Sequence, residues 1–437
     1  MFRYKLLDER LLSLRFGGNN PHLIPRYGLI DHGPFKKLEY PVLSIRLVYP
    51  EELSDLIIRF SNILEEGGRR FPGFRAVYRV KIDFLDDISI KRDELINPLK
   101  NKSLRQAIED DRKFPIKPIY IVVVPPYHKW YGHTPYNILK AELLKHNILS
   151  QMIRIDTLTT KPLEEVIFNV ANALFAKAGG EPWRLYSRIT TFSGFSDTVT
   201  LIGSGITRIP REPGYVEYDR YAGFVVLYSD EGRLLYINTF VTEYDRISAL
   251  NKLKATLITA VDRCNIYDNI DVIIHYSGKD LNFTEEEELV KTITKLELSR
   301  RMKIHYVVLR VIRKPLYKLL FKPTRGYPPV GTYVQIGKRM FLTYTVGYLR
   351  NMSPIGVPTP LLLSIRLSDL NIDYIDVESL ISSVCELARL NWRGVNVFNK
   401  EPVTVKYSRL LAYLAAGLKE SGKLNPEDLP KDKPWFL

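Results

Sequence analysis

Two hydrophobic rhythms follow one another along the chain. In the first part, LSIRLVYP (43–50) alternates as a half-buried strand does, and ELSDLIIRFSNILEEG (52–67) carries helical apolar spacing that stops at Gly67-Gly68. IYIVVV (119–124) is a fully apolar strand closed by two prolines. PYNILKAELLKHNIL (135–149) predicts a helix with Pro135 at its start and Ile138, Leu139, Leu143, Leu144 and Ile148 facing inward. LEEVIFNVANALFAK (163–177) predicts another, and GLIDHGPF (28–35) reads as a turn punctuated by Gly and Pro. Strand–helix–strand–helix order predicts an α/β fold, here an open, Rossmann-like parallel sheet.

GGEPWRL (179–185) interrupts this rhythm, which divides the chain into a first domain with its lead segment over 1–178 and a second over 179–437. Three strands then come in succession, 198–209, 221–230 and 234–240, the last two joined by the tight DEGR. A helix over 246–263, a strand over 271–275, a helix over 284–301 and a strand over 303–312 follow. Three antiparallel strands, a helix and then a parallel strand is the order of the ribonuclease H fold. A hairpin (332–346), a strand (361–367) and helices over 374–390 and 402–418 complete the chain.

Composition narrows the function. The 437 residues are 45% hydrophobic and 26% charged, as in a globular protein of two or three domains. The formal charge of +14 suits a polyanion partner, because clustered Lys and Arg gain by displacing counterions from phosphates, and it also suits an ordinary basic enzyme. Cys264 and Cys385 lie far apart without metal spacing and read as core thiols of a reducing compartment. No apolar run reaches the ~20 residues of a membrane span and no secretory signal is evident, so a cytoplasmic location without membrane insertion is expected.

The candidate chemistry begins at the 135–149 helix. Tyr136 and Lys140 are four apart and share one face near its N-terminus, where unpaired N–H groups and the helix dipole favour an anion. Gln151 lies just beyond this helix and Lys177 ends the next. A tyrosine hydroxyl, two ammonium groups and an amide would cage a terminal phosphate. From the residues alone, the pattern equally describes two surface lysines and a tyrosine on a helix face.

The spacing resembles the guide 5′-phosphate pocket in the MID domain of Argonaute proteins: Tyr-x3-Lys, then a Gln, then a Lys 26 residues further on. GLIDHGPF resembles that family's GL-x3-GP turn, GGEPWRL its PIWI opening, and NWRGVNVFNKEPVTVKYSRLLAYLA (391–415) its closing segment. The resemblance covers essentially the whole chain and identifies a short member, a MID domain followed by a ribonuclease H-like PIWI domain without the N and PAZ domains. It implies a Mg²⁺ or other divalent cation beside the guide phosphate, held by the C-terminal carboxylate of Leu437, with Gln151 as the best side-chain partner.

The resemblance also says where a nuclease of this kind would hold metal. The first acid falls at Gly205 in IGSGITR (202–208), the second at Ser277 in HYSG (275–278), and the final Asp or His at Arg409 after Tyr407-Ser408. None of the three places carries a metal ligand, and an Arg repels Mg²⁺. Glu243 is a remaining carboxylate near the cleft. The expectation is therefore a protein that binds a 5′-phosphorylated guide, RNA by expectation, and recognises a complementary target, DNA by expectation, without cutting it. The resemblance implies an effector protein from a neighbouring gene and a role in defence against phage or plasmid. Two alternatives stay open: an active guided endonuclease with displaced ligands, and a scaffold that recruits proteins without a guide. EEEEL (285–289) reads as a solvated helix face, and RVIRKPLYKLLFKPTRGY (310–327) as a basic, aromatic run that lines the nucleic-acid channel or a surface loop.

Overall fold

The structure, a computed structural model, describes residues 4–437 apart from 92, 127–133, 210–219, 244–250, 252–253, 256–257, 260–268, 278–282, 318–326, 355, 422–423 and 425–427. For 205–209, 220–224, 240–243, 283–285 and 408 it describes the backbone alone.

The first half is built on a parallel sheet. Strands β4 (Val42–Pro50), β5 (Lys81–Phe84), β7 (Ile119–Val124) and β8 (Ser150–Arg154) lie in the order β5-β4-β7-β8, with β6 (Ile88–Ile90) also on β4. All six residues of β7 are buried, which is why its sequence is apolar throughout instead of alternating. The helices Ser54–Glu66, Pro135–Lys145 and Leu163–Lys177 follow the expected apolar spacing. Thr134 caps the second by accepting from the Asn137 N–H. This helix ends four residues earlier than its hydrophobic pattern suggests. Asn147 takes φ 57°, a left-handed stop, so Ile148 reaches the core from the loop before β8. GLIDHGPF is also corrected, because Pro25–His32 is a helix begun by Pro25 and closed by Gly33 at φ 74°.

The second half is a nine-stranded sheet of order β1 (Tyr4–Leu6), β15 (Thr332–Gly337), β16 (Met340–Thr343), β17 (Leu361–Ser368), β14 (Ile304–Ile312), β13 (Ile270–Tyr276), β10 (Thr198–Ile209), β11 (Arg220–Tyr228) and β12 (Leu234–Glu243). Strands β10, β11 and β12 run antiparallel, and β13 and β14 run parallel to β10. That is the ribonuclease H order read from the sequence. The hairpin β15 and β16 joins β17 to extend it. The helix Val403–Glu420 packs over β10 and its neighbours so closely that a Cβ on Gly203 would lie 2.2 Å from the Thr404 carbonyl oxygen. The helix expected over 246–263 falls largely outside the described residues.

The lead segment joins this second half. Strand β1 (Tyr4–Leu6) pairs with β15, and β2 (Leu14–Arg15) sits between β3 (Pro21–His22) and β9 (Arg184–Leu185). Buried Arg389 donates to the carbonyls of Leu12, Leu23 and Val397, which ties the lead to the helix Val377–Arg389 and the closing segment.

Candidate phosphate-binding site

Four elements bring the sequence-identified cage together. The 135–145 helix supplies Tyr136 and Lys140, the start of β8 supplies Ser150 and Gln151, the end of the 163–177 helix supplies Lys177, and the chain end supplies Trp435. Lys177 Nζ donates to the Ser150 carbonyl at 2.7 Å and to Gln151 Oε1 at 2.6 Å. Lys140 Nζ donates to the same Ser150 carbonyl at 3.4 Å and to the Trp435 carbonyl at 3.2 Å. It also stands 5.8 Å from the Tyr136 ring centroid and 5.9 Å from that of Trp435. The surface-lysine reading falls here: Lys140 is 1% exposed and Lys177 0%.

Two ammonium groups buried against neutral carbonyls are short of negative charge. Burial, then the nearby Arg393 guanidinium, lowers the Lys140 amine from its ordinary value to about 7. Burial, then Lys140 and Arg393, hold Lys177 well below its ordinary range. Lys406 is brought down to about 8, again by burial first and Arg393 second. An entering phosphate would supply the missing charge and let these amines take up protons.

Arg393 and Lys406 are the members that sequence reasoning missed. Both lie in the closing segment 391–415, more than two hundred residues after Lys177, and Lys406 donates to Asn399 at 3.0 Å. The cations in NWRG and VKY were the available signal, but nothing local placed them beside the cage.

The tail fits the role expected of it in part. Trp435, Phe436 and Leu437 are buried, and Phe436 packs edge-on against Tyr407 with centroids 5.0 Å apart. Buried Ser150 Oγ and Trp435 Nε1 have no hydrogen-bond partner, so the cage has unspent polar capacity. For a divalent cation the donor set is thin. Gln151 Oε1 is already engaged by Lys177, and the surrounding side chains are cationic. A cation would fit here only together with an anion, and the residues that would hold it are the expected pair, the Leu437 carboxylate and Gln151.

The second sequence-identified place lies at the carboxyl ends of the parallel strands. Ser204 pairs with Tyr276, so Gly205 and Ser277 stand level on neighbouring strands, about 5 Å apart. Glu243 is four residues beyond Thr239, which β11 links to Gly205 through Phe224. Strand spacings put its backbone about 16 Å from Gly205, too far for a shared ion. His275 is fully buried, bonded to Thr404 Oγ1 at 2.8 Å and Ser383 Oγ at 3.4 Å. Burial lowers it to about 3, so the ring is a neutral packing element. Arg409 meets the half-hidden carboxylate of Glu401 at 3.3 Å, and Arg313 meets the same carboxylate at 3.5 Å. Among the described residues, no group of three His, Cys, Asp or Glu is arranged to hold a metal, and none of the described helices is long and apolar enough to cross a membrane.

Known proteins resemble the chain in sequence and in fold. The Piwi domain profile matches residues 121–419. The chain is 26% identical to a Piwi protein of Archaeoglobus fulgidus over 466 aligned positions, covering 100% of both. Among solved structures it is similar to Drosophila Piwi, with TM-score 0.69 and 15% identity over 98% of this chain and 56% of the other. It is also similar to Clostridium butyricum Argonaute bound to a guide DNA and a 19-mer target DNA, with TM-score 0.67 and 16% identity over 98% and 54%. The chain thus spans a little over half the length of these solved proteins. From the profile match and the full-length relative, the chain belongs to the Piwi-domain family of Argonaute and Piwi proteins.

Proposed function

We propose that the chain binds a 5′-phosphorylated guide oligonucleotide and uses it to hold a complementary strand without cutting it. The observation that carries the reading is the buried pair Lys140 and Lys177, which converges on Ser150, Gln151 and Trp435 with no carboxylate side chain as partner among the described residues. Burying two amines this way is costly unless an anion completes the site. Tyr136 lies on the same helix and adds its hydroxyl to the phosphate cage, and Arg393 and Lys406 add charge from the second domain. The Leu437 carboxylate and Gln151 would hold a divalent cation, Mg²⁺ by expectation, which would add positive charge for the guide phosphate. Base pairing would then read the sequence, as in other guided systems.

Gly205, Ser277 and Arg409 in the acid places support a PIWI domain that holds without hydrolysis. A binder of this kind needs a separate effector, so the reading includes a partner protein and a defence role against phage or plasmid nucleic acid. RNA as guide and DNA as target belong to the same reading, as does its place in the cytoplasm. The division into domains at 178–179 is likewise part of the proposal, except that the lead segment expected with the first domain packs on the second half.

The test compares a 5′-phosphorylated guide with its 5′-hydroxyl twin on wild type, Lys140→Ala and Lys177→Ala. The phosphate should strengthen wild-type binding at least tenfold, and each variant should lose most of that preference. Equal affinity for the two guides sinks the cage. Incubating the loaded protein with labelled target and Mg²⁺ or Mn²⁺ should give no product, and a discrete product would return the chain to the nucleases.

A further inference from the structure

We propose that Arg313 and Arg409, which share Glu401, form a seat for one backbone phosphate of the strand paired to the guide. The placement comes from the sheet. Tyr276 pairs with Arg310 on β14, so Arg313 emerges just past the end of that strand, on the same carboxyl edge as Ser277 and about 10 Å from it. Ligands of open α/β sheets gather along that edge.

The chemistry points the same way. Two guanidinium groups on one carboxylate leave a net charge of one, and both arginines keep solvent access, 41% for Arg313 and 33% for Arg409, whereas Glu401 keeps 14%. Each arginine commits a single nitrogen, at 3.5 Å and 3.3 Å. A structural arginine of this protein looks different: Arg46 grips Asp111 with two nitrogens, at 2.8 and 2.9 Å. The Arg313 and Arg409 pair is loosely held and retains donors for a second anion, while Glu401 sets their spacing. Lys400 donates to the Arg313 carbonyl and fixes the base of the seat. Downstream, Leu316 and Tyr317 are 97% and 59% exposed, an apolar and aromatic surface of the kind on which bases stack.

This inference rests on the guided-binding reading but is tested apart from it. Wild type, Arg313→Gln, Arg409→Gln and the double variant are titrated with a preannealed guide–target duplex bearing 5′-hydroxyl ends, which bypasses the cage, across a salt series. The double variant should lose about one unit of salt slope and bind about tenfold or more weakly, and each single variant should lose part of both. A single methylphosphonate walked along each strand should weaken wild type at one target position and leave the double variant unchanged there. A weak spot on the guide strand, or a double variant with the wild-type slope and affinity, overturns the seat. Thermal melts of the four proteins verify folding, and their preference for a 5′-phosphorylated guide reports the cage: loss of that preference in wild type refutes the cage alone, and its retention beside unchanged slopes refutes the seat alone.

Discussion

Lys140 Nζ lies 3.2 Å from the carbonyl oxygen of Trp435, so an amine of the first sheet's helix is held by the third residue from the chain end. Since burial brings that amine to about 7, its proton is negotiable near neutrality. A bound phosphate raises the value again, so binding takes up a proton above pH 7. Affinity for a 5′-phosphorylated guide should fall as pH rises above 7, by up to about tenfold per unit for each amine that takes up a proton, and a 5′-hydroxyl guide should show no such fall. Fluorescence anisotropy from pH 6.5 to 9 measures both.

The same depressed value shapes stability. Unfolded Lys140 holds its proton to about 10.5, so between 7 and that value the unfolded chain binds more protons and the guide-free protein gains stability as pH rises. Saturating phosphorylated guide should remove this rise, which denaturant melts at pH 7 and 9 would reveal.

Burial is the first cause that depresses Lys140, Lys177 and Lys406, and Arg393 is the charge that adds to it at all three. Arg393→Ala should move the onset of affinity loss to higher pH while lowering affinity at pH 7 severalfold, because it removes both a repulsion among the amines and an attraction for phosphate. An unshifted pH profile would show that Arg393 acts elsewhere.

His275 gives a prediction of the same sign in a lower pH window. Its value of about 3 lies below the ordinary 6.5, so stability is fully present above 6.5 and is lost as pH falls toward 3, by at most about 1.4 kcal/mol per unit. His275→Ala should cost about 2–4 kcal/mol at pH 7 through the cavity and the orphaned Thr404 and Ser383 hydroxyls, yet flatten the acid limb. Guide affinity at neutral pH should not change if the ring only packs.

Arg389 holds three main-chain carbonyls, two of them in the lead segment. Arg389→Met should cost about 3 kcal/mol and make residues near Leu12 and Leu23 the first sites of limited proteolysis. Unaltered cleavage kinetics would mean that the lead is anchored by its strands alone.

The legible parts were those with local causes. The 163–177 helix and the β10–β14 order follow from periodicity and turn residues, and both stand where the sequence puts them. Helix ends were harder: nothing in HNIL marks Asn147 as left-handed, and the Pro25 helix was hidden behind two glycines that suggested only a turn. The spacing of Tyr136, Lys140, Gln151 and Lys177 was readable as a motif, but the burial of both lysines was not, since that depends on Trp435 arriving from 295 residues away. Arg393 and Lys406 escaped notice for the same reason. Their role depends on how two sheets meet, which no window of sequence contains.

The pairing of Tyr4 with Val334 has a consequence for biosynthesis. On a ribosome making about 5–20 residues per second, the first strand waits tens of seconds for its partner. The parallel sheet of 42–154 can close during that interval, because all its strands are near one another in sequence. The strand Tyr4–Leu6 therefore docks long after it is made, and a nascent chain stalled before Thr332 should display Leu7, which the folded protein buries, to any passing chaperone.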